Sequence, residues 1–133
     1  MKIPMSVFIF AIAMAPTLAS PQSPSITLDN GFDICPDRPS QPEWIDRLPS
    51  RDAFQGAVIQ MIYRAQSYKN VIEAGECSCA IRFPSWKRSV QQFNDNYLGA
   101  DRNGLRDARN EYRAQANETR EAAKALCEDA GNW

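Results

Sequence analysis

Apolar residues recur at helical spacing in the first patterned segment, over about residues 51–74. The spacing alternates between four and three residues, through Phe54, Val58, Met61, Ala65, Tyr68 and Ile72. This is the pattern of the buried side of an α-helix. Further apolar residues lie on its other side, so we expect this helix to be the most buried, at the centre of a bundle or against a partner. Gly75, of the residue type that most often ends a helix, follows it.

Two more helical patterns follow. The second begins after Pro84, with Ser85 as a candidate cap, and its apolar face comprises Trp86, Val90, Phe93 and Tyr97. The third runs from Leu105 to just before Gly131, and its apolar positions are Ala108, Tyr112, Ala116, Ala123 and Leu126. None of the three segments has strand-like alternation of useful length. The sequence therefore predicts an all-α fold, a small disulfide-linked helical hairpin or three-helix bundle, over residues 50–133.

The N-terminal residues have a different pattern. Residues 1–19 combine a positive start at Lys2, an uncharged apolar run over residues 5–15 and small residues before Ser20. That is typical of a secretory signal peptide, with predicted cleavage after Ala19. The run is shorter than the roughly 20 residues of a membrane-spanning helix, which disfavours an uncleaved anchor.

Residues 20–49 form a proline-rich segment, with six prolines in 30 residues. Proline disfavours helical backbone at and before its position, so we expect an extended arm. Asn30-Gly31 suits a tight turn, and a small hairpin around it is one alternative. Trp44, Ile45 and Leu48 are the apolar residues with which the arm would pack onto the helical domain.

Four cysteines, Cys35, Cys77, Cys79 and Cys127, lie after the predicted cleavage point. An even count in an exported chain predicts two disulfides and a periplasmic or secreted location. The pairing depends on the break between the second and third helices, where Gly99, Asn103 and Gly104 weaken helical preference. A continuous helix would leave a Cys77–Cys79 bond, which is geometrically demanding. A turn at residues 99–104 would instead let Cys127 and Cys35 each bond one member of the C-x-C pair, and we favour this arrangement.

The composition of the chain disfavours several classes of function. The chain has no His and a net charge of −1, which disfavours His-based catalysis, the usual zinc sites and non-specific nucleic-acid binding. No phosphate loop or metal-ligand motif occurs, so we expect no catalytic residues, cofactor or metal, and no enzymatic activity. A thiol-disulfide redox protein using the C-x-C pair is an alternative, although Glu73 and Glu76 would disfavour its thiolate.

The third helix carries a stripe of like charge. On a helical wheel its arginines fall within about 60° of one another, beside the apolar face: Arg102, Arg106, Arg109, Arg113 and Arg120. Like-charged neighbours at helical spacing destabilise an isolated helix, so the stripe indicates an interface with a charged partner. The alternative is that the arginine stems lie along the edge of the core, with their guanidinium groups in water.

The segment ECSCAIRFPSW, residues 76–86, resembles small periplasmic proteins encoded with bacterial conjugal transfer, or type IV secretion, machinery. The resemblance implies an accessory or structural component of an envelope-spanning complex, with no catalytic residues. We therefore expect an exported protein that acts through protein-protein contacts or self-association. The alternative is a secreted small-ligand carrier whose pocket is lined by aromatic residues, namely Phe54, Tyr68, Trp86, Phe93 and Tyr97.

Overall fold

The computed structural model describes residues 35–133. The predicted signal peptide, the possible turn at Asn30-Gly31 and the first part of the arm lie outside these residues. The described part is helical and contains no strand. Its helices are α1 (Glu43–Asp46), α2 (Ala53–Ala74), α3 (Cys79–Arg82), α4 (Lys87–Tyr97) and α5 (Arg102–Asp129), with a 3₁₀ turn over Ser50–Asp52 before α2. The all-α prediction is confirmed.

Helix α2 is the central element, as predicted, but its most buried side is not the predicted one. Val58, Ile59, Ile62 and Val71 are each 0% exposed, whereas Ile72 of the predicted side is 37% exposed. The helix ends at Gly75, which adopts the left-handed conformation with φ of 68°. The Gly75 backbone N–H donates to the carbonyl oxygens of the preceding turn, so the last carbonyls of α2 are satisfied there.

The chain turns between α4 and α5, as the favoured alternative requires. The turn lies at residues 98–101, and Asp101 caps α5 by accepting a hydrogen bond from the Gly104 backbone N–H at 2.8 Å. Asn103 and Gly104 are therefore in the first turn of α5 and do not form the break, so that detail of the prediction is wrong. An Asp at the N-cap satisfies an otherwise unpaired helix N–H, and this stabilises α5 from residue 102 onward.

Helices α2 and α5 run parallel, and the shorter α4 runs antiparallel to both. The first core cluster joins the N-terminal half of α2 to Phe93 of α4 and to Leu105 and Ala108 of α5. The second cluster joins the C-terminal ends of α2 and α5 and contains Val71, Cys77, Ala123 and Cys127. Small alanines on α5 face α2 in both clusters, which lets the two backbones approach closely.

The arm packs onto the start of α2 through one turn of helix. Ile45 of α1 is 6% exposed and belongs to the first cluster, with Leu48 packed against it. A Cβ atom added at Gly56 would lie 3.0 Å from Ile45 Cγ2, so α2 needs glycine where the arm crosses it. The arm is thus not wholly extended. A proline just before or at the start of a helix costs no hydrogen bond, so Pro42 is compatible with α1.

Two disulfides fasten the ends of the structure to the C-x-C pair. Cys35 is bonded to Cys79, with 5.7 Å between Cα atoms, and Cys77 is bonded to Cys127, with 4.9 Å. All four cysteines of the chain are therefore bonded, in one of the two pairings that the turned arrangement allows. Within residues 35–133, no helix is both long and apolar enough to cross a membrane.

Candidate interaction surfaces

The largest concave surface that we describe is an open groove of about 540 Å³ between the arm and the start of α4. Its arm side contains Pro39, Pro42 and Trp44, and its α4 side contains Trp86, Val90 and Gln91. We call it the tryptophan groove. Sequence analysis did not find it, because it exists only once the arm lies across α2 beside α4.

Trp86 is held rigidly in one wall of this groove. Its ring stacks on Tyr63 of α2, with 3.8 Å between centroids and 4° between planes. The indole N–H donates to the Pro39 carbonyl oxygen at 3.2 Å, and the Tyr63 hydroxyl donates to the Pro84 carbonyl oxygen at 3.0 Å. Burial raises the pKa of the Tyr63 phenol, which favours the protonated form that donates this hydrogen bond. This wall is therefore formed before any ligand binds.

Trp44 forms the opposite wall and is more accessible. Its side chain belongs to α1 and is 45% exposed, although neighbouring Ile45 is buried. The arm is held beside it by hydrogen bonds, since Gln60 of α2 donates to Gln41 at 2.8 Å and Gln41 donates to Asp46 at 2.5 Å. The groove therefore presents a large aromatic surface to solvent on a fixed backbone.

A second cleft, of about 420 Å³, adjoins the tryptophan groove. It is lined by Arg38, Phe83 and Cys79 among others, and it shares Pro39 and Ser85 with the groove. Cys79, which is bonded to Cys35, is one of its lining residues, so we call it the disulfide cleft. The two clefts are adjacent, because they share two lining residues.

A partly buried hydrogen-bond network links α2, α4 and α5. Ser89, which is 0% exposed, donates to Gln66 at 2.7 Å, and Gln66 donates to Gln92 at 2.6 Å. Gln92 donates to the Tyr112 hydroxyl at 2.6 Å, and Tyr97 donates to the same hydroxyl at 3.4 Å. The network bridges α4 to α5 with satisfied polar groups, so its role is to fix how the helices pack. Because its members are distant in sequence, no local sequence pattern predicts this network.

The Tyr97 hydroxyl is the most strongly perturbed titratable group that we describe. Its hydrogen bond to Tyr112, together with burial and the nearby charge of Glu111, raises the pKa of Tyr97 to about 12. A phenol that donates its proton loses that bond on ionisation, which explains the direction of the shift.

The arginines of the stripe make contacts of different kinds. Arg102 and Arg109 lie over the Phe54 ring of α2, with 5.3 and 5.5 Å from guanidinium carbon to ring centroid. Arg120 lies 5.3 Å from the Trp133 ring. These three side chains follow the alternative in which arginine stems lie along the core.

Arg106 and Arg113 make none of the ring contacts that we describe. Arg106 is exposed and contacts only its neighbour Asp107, at 3.5 Å, among the ion pairs that we describe. Arg113 is also exposed and donates to Asn110 at 3.4 Å. Arg102 and Arg120 are exposed too and Arg109 is half-buried, so a role of the stripe in an interface stays a prediction.

Trp133, the last residue of the chain, packs against the second cluster. Arg82 of α3 is 5% exposed, and its guanidinium carbon lies 4.7 Å from the Phe83 centroid and 4.9 Å from the Trp133 centroid. Tyr68 contacts Trp133 from α2, with 5.7 Å between ring centroids. Sequence analysis missed this contact, because Trp133 follows the end of the helical pattern.

The residues of the two alternative functions take part in core packing and in the disulfides. Phe93 is 2% exposed in the first cluster, and Phe54, Trp86 and Tyr97 pack against the same cluster, whereas Tyr68 packs against the second. Cys77 and Cys79 are bonded to different cysteines. Within residues 35–133, no group of three or more His, Cys, Asp or Glu side chains is placed to hold a metal ion.

Comparison with known proteins gives no match to a family model, to a curated protein or to a solved structure.

Proposed function

We propose that this chain is an exported, non-enzymatic protein that binds a protein partner through the tryptophan groove, as an accessory component of a cell-envelope assembly such as a type IV secretion system. The single observation that carries the proposal is the groove itself, with Trp44 exposed on one wall and Trp86 fixed in the other.

Tryptophan is among the residues that contribute most to binding energy at protein interfaces. An aromatic side chain that is already held in place loses little conformational entropy on binding. Trp86 meets this condition, because Tyr63 and the Pro39 carbonyl oxygen fix its ring. The groove is therefore suited to bind a segment of another protein with little rearrangement.

The charges around the groove support the same interpretation. Lys87 and Asp95 line the groove at exposed positions, and Gln91 and Asn94 lie between them. An apolar centre with a polar, solvent-accessible rim is the usual organisation of a protein interface. Acid-base catalysis, in contrast, relies on burial and close charge partners to shift a pKa.

The proposal is tested by site-specific crosslinking in the cells that produce the protein. Gln91, in the groove wall, is replaced by a photo-crosslinking benzoyl-phenylalanine, and exposed Glu118 on α5 receives the same residue as a control. We expect a discrete crosslink to one envelope protein from position 91 and none from position 118. If neither position, or both equally, gives a crosslink to another protein, the groove is not the interaction site.

Substituting each tryptophan in turn should distinguish an effect on partner binding from an effect on stability. Trp44→Ala removes an exposed side chain, so we expect the free energy of unfolding to change by less than about 1 kcal/mol while the crosslink is lost. Trp86→Ala removes a stacked ring and a hydrogen bond, so we expect a loss of about 3 kcal/mol or more. An unchanged crosslink in a folded Trp44→Ala variant contradicts the proposal.

A further inference from the structure

The two disulfides differ in how far their cysteines are covered. Cys35, Cys77 and Cys127 are 1%, 3% and 0% exposed, whereas Cys79 is exposed. Cys79 also lines the disulfide cleft, which has a volume of about 420 Å³. Since a thiolate must reach a sulfur atom to exchange with a disulfide, the Cys35–Cys79 bond can be approached at its Cys79 end.

The Cys77–Cys127 bond, in contrast, lies inside the second cluster. The Asn132 backbone N–H donates to the Cys127 carbonyl oxygen at 2.7 Å, and the Asn132 side-chain amide donates to the Cys77 carbonyl oxygen. Partly buried apolar side chains pack against the cluster, namely Tyr68, Ile81, Leu126 and Trp133. A thiolate therefore reaches this bond only after local opening of the cluster, which costs free energy.

The lining of the disulfide cleft does not repel an anion. Its charged residues are Asp37 and Arg38, one of each sign, and its other lining residues are uncharged. Glu73 and Glu76, which disfavour a thiolate at the C-x-C pair, are not among the lining residues that we describe. A thiolate can therefore approach Cys79 without net repulsion from the cleft.

We propose that Cys79 is a site of thiol-disulfide exchange, at which an incoming thiolate opens the Cys35–Cys79 bond and leaves the Cys77–Cys127 bond intact. The thiolate attacks the Cys79 Sγ atom and forms a mixed disulfide there, and the Cys35 sulfur leaves as a thiolate that takes up a proton. With a dithiol, the second thiol then displaces Cys79 from the mixed disulfide. The dithiol is thereby oxidised by two electrons, and Cys35 and Cys79 become thiols. The co-reactant is a small-molecule thiol or the dithiol of an exported oxidoreductase.

Opening of this bond would also release one wall of the tryptophan groove, a consequence that rests on the proposed function. Pro39, four residues after Cys35, lines both clefts and accepts the hydrogen bond from the Trp86 indole N–H. Without the bond, the arm between residue 35 and α1 is held by non-covalent contacts alone. A less ordered wall loses more conformational entropy on binding, so the partner should bind the reduced chain more weakly.

The test incubates the purified, oxidised chain with reduced glutathione under native conditions, alkylates the thiols and maps them by mass spectrometry. We expect glutathione on Cys79, an alkylated Cys35 and an opening rate at least about tenfold above that of the Cys77–Cys127 bond. The matched control is the same chain in urea, where unfolding exposes every sulfur atom and the two bonds should react at similar rates. Equal rates in the folded chain, or glutathione on Cys35 in place of Cys79, overturn the inference.

A pair of charge substitutions tests whether the thiolate approaches through the cleft. Ala80 is exposed and lines the cleft beside Cys79. Because glutathione is anionic, Ala80→Lys should raise the exchange rate and Ala80→Glu should lower it, each by about threefold. Glu118→Lys changes a charge on α5, outside the cleft lining, and should leave the rate unchanged. Equal rates for the two Ala80 variants contradict approach through the cleft.

The source of the thiol is identified in the cells that produce the protein. Cys35→Ala prevents the bond from closing again, so the mixed disulfide at Cys79 should accumulate, and its mass distinguishes a small thiol from a protein. Cys77→Ala, which leaves Cys127 in the second cluster, should give no such adduct. If Cys35→Ala gives no adduct at Cys79, the site does not exchange in cells and the inference is overturned.

The consequence for the groove is tested with benzoyl-phenylalanine at position 91. Cys35→Ala/Cys79→Ala, in a chain that circular dichroism shows to be folded, should lower the yield of the partner crosslink at least about threefold. An unchanged yield contradicts release of the groove wall. If the chain with both disulfides gives no partner crosslink, the proposed function fails instead, and the glutathione result stands without any partner.

Discussion

Removing the Cys77–Cys127 disulfide should cost more than any single core substitution in the second cluster. The bond joins residues separated by 50 positions, and closing a loop of that size lowers the entropy of the unfolded chain by an amount worth about 4 kcal/mol. The cluster that it closes is small, because apart from the two cysteines its fully buried members are only Val71 and Ala123. We expect Cys77→Ala/Cys127→Ala to lower the free energy of unfolding by about 4 kcal/mol, from a total that is typically about 5–15 kcal/mol.

Urea unfolding followed by far-ultraviolet circular dichroism measures this loss, and thermal unfolding should show a decrease in Tm of about 15–20 °C for a domain of this size. The matched control is Cys35→Ala/Cys79→Ala, which opens a loop of 44 residues and should also cost about 4 kcal/mol. Hydrogen exchange distinguishes the two variants, since only loss of the Cys77–Cys127 bond should deprotect the last turns of α5. A cost below about 1 kcal/mol would refute the argument that the bond, and not side-chain packing, holds the second cluster together.

Two further predictions concern the close contact between the arm and α2 and the hydrogen bond between the half-buried phenols of Tyr97 and Tyr112. Gly56→Ala should lower the free energy of unfolding by about 1 kcal/mol, since overpacking against Ile45 at 3.0 Å outweighs the gain in helix propensity. Gly104→Ala, whose nearest neighbours are at 3.4 Å, should raise it by up to about 1 kcal/mol in the same urea assay, and equal effects would contradict this account. Tyr112→Phe should lower the Tyr97 pKa from about 12 toward 10 in a spectrophotometric titration at high pH. Because the raised pKa stabilises the fold below pH 10 and this contribution is lost as the pH approaches 12, the variant should lose less stability across that interval, and identical pH profiles would count against the hydrogen bond.

The main helices and the bonding of Cys35 and Cys127 to the C-x-C pair could be predicted, because each depends on one feature of the sequence. The position of α2 follows from one apolar repeat that ends at a glycine, and the bonding to the C-x-C pair follows from whether the chain turns before α5. Which member of the pair each outer cysteine bonds depends on the packing of the folded chain, and the sequence leaves both pairings open.

The missed features depend on contacts between distant residues. Helices α1 and α3 are four residues each, too short for a repeat to be visible. The network from Ser89 to Tyr112 joins residues of three helices, and Gln66 looks like an ordinary surface residue until α4 covers it. The tryptophan groove requires the position of the arm relative to α4, which side-chain packing at Ile45 and Gly56 determines. Asn103-Gly104 predicts a turn because those residue types favour turns, but Asp101 caps the helix before them.

The paired disulfides also determine how the molecule transmits force. A covalent path runs from Cys35 through its bond to Cys79, back along Ser78 to Cys77, and through the second bond to Cys127. Tension applied between the N-terminal arm and the C-terminal residues therefore passes through two sulfur-sulfur bonds and three residues of backbone. The rest of α2, α4 and α5 lies in loops outside this path and carries no load. An oxidised chain pulled between two attachment points would extend by only a few residues' length and keep its helices folded, whereas a reduced chain would transmit the same force directly into the helical domain.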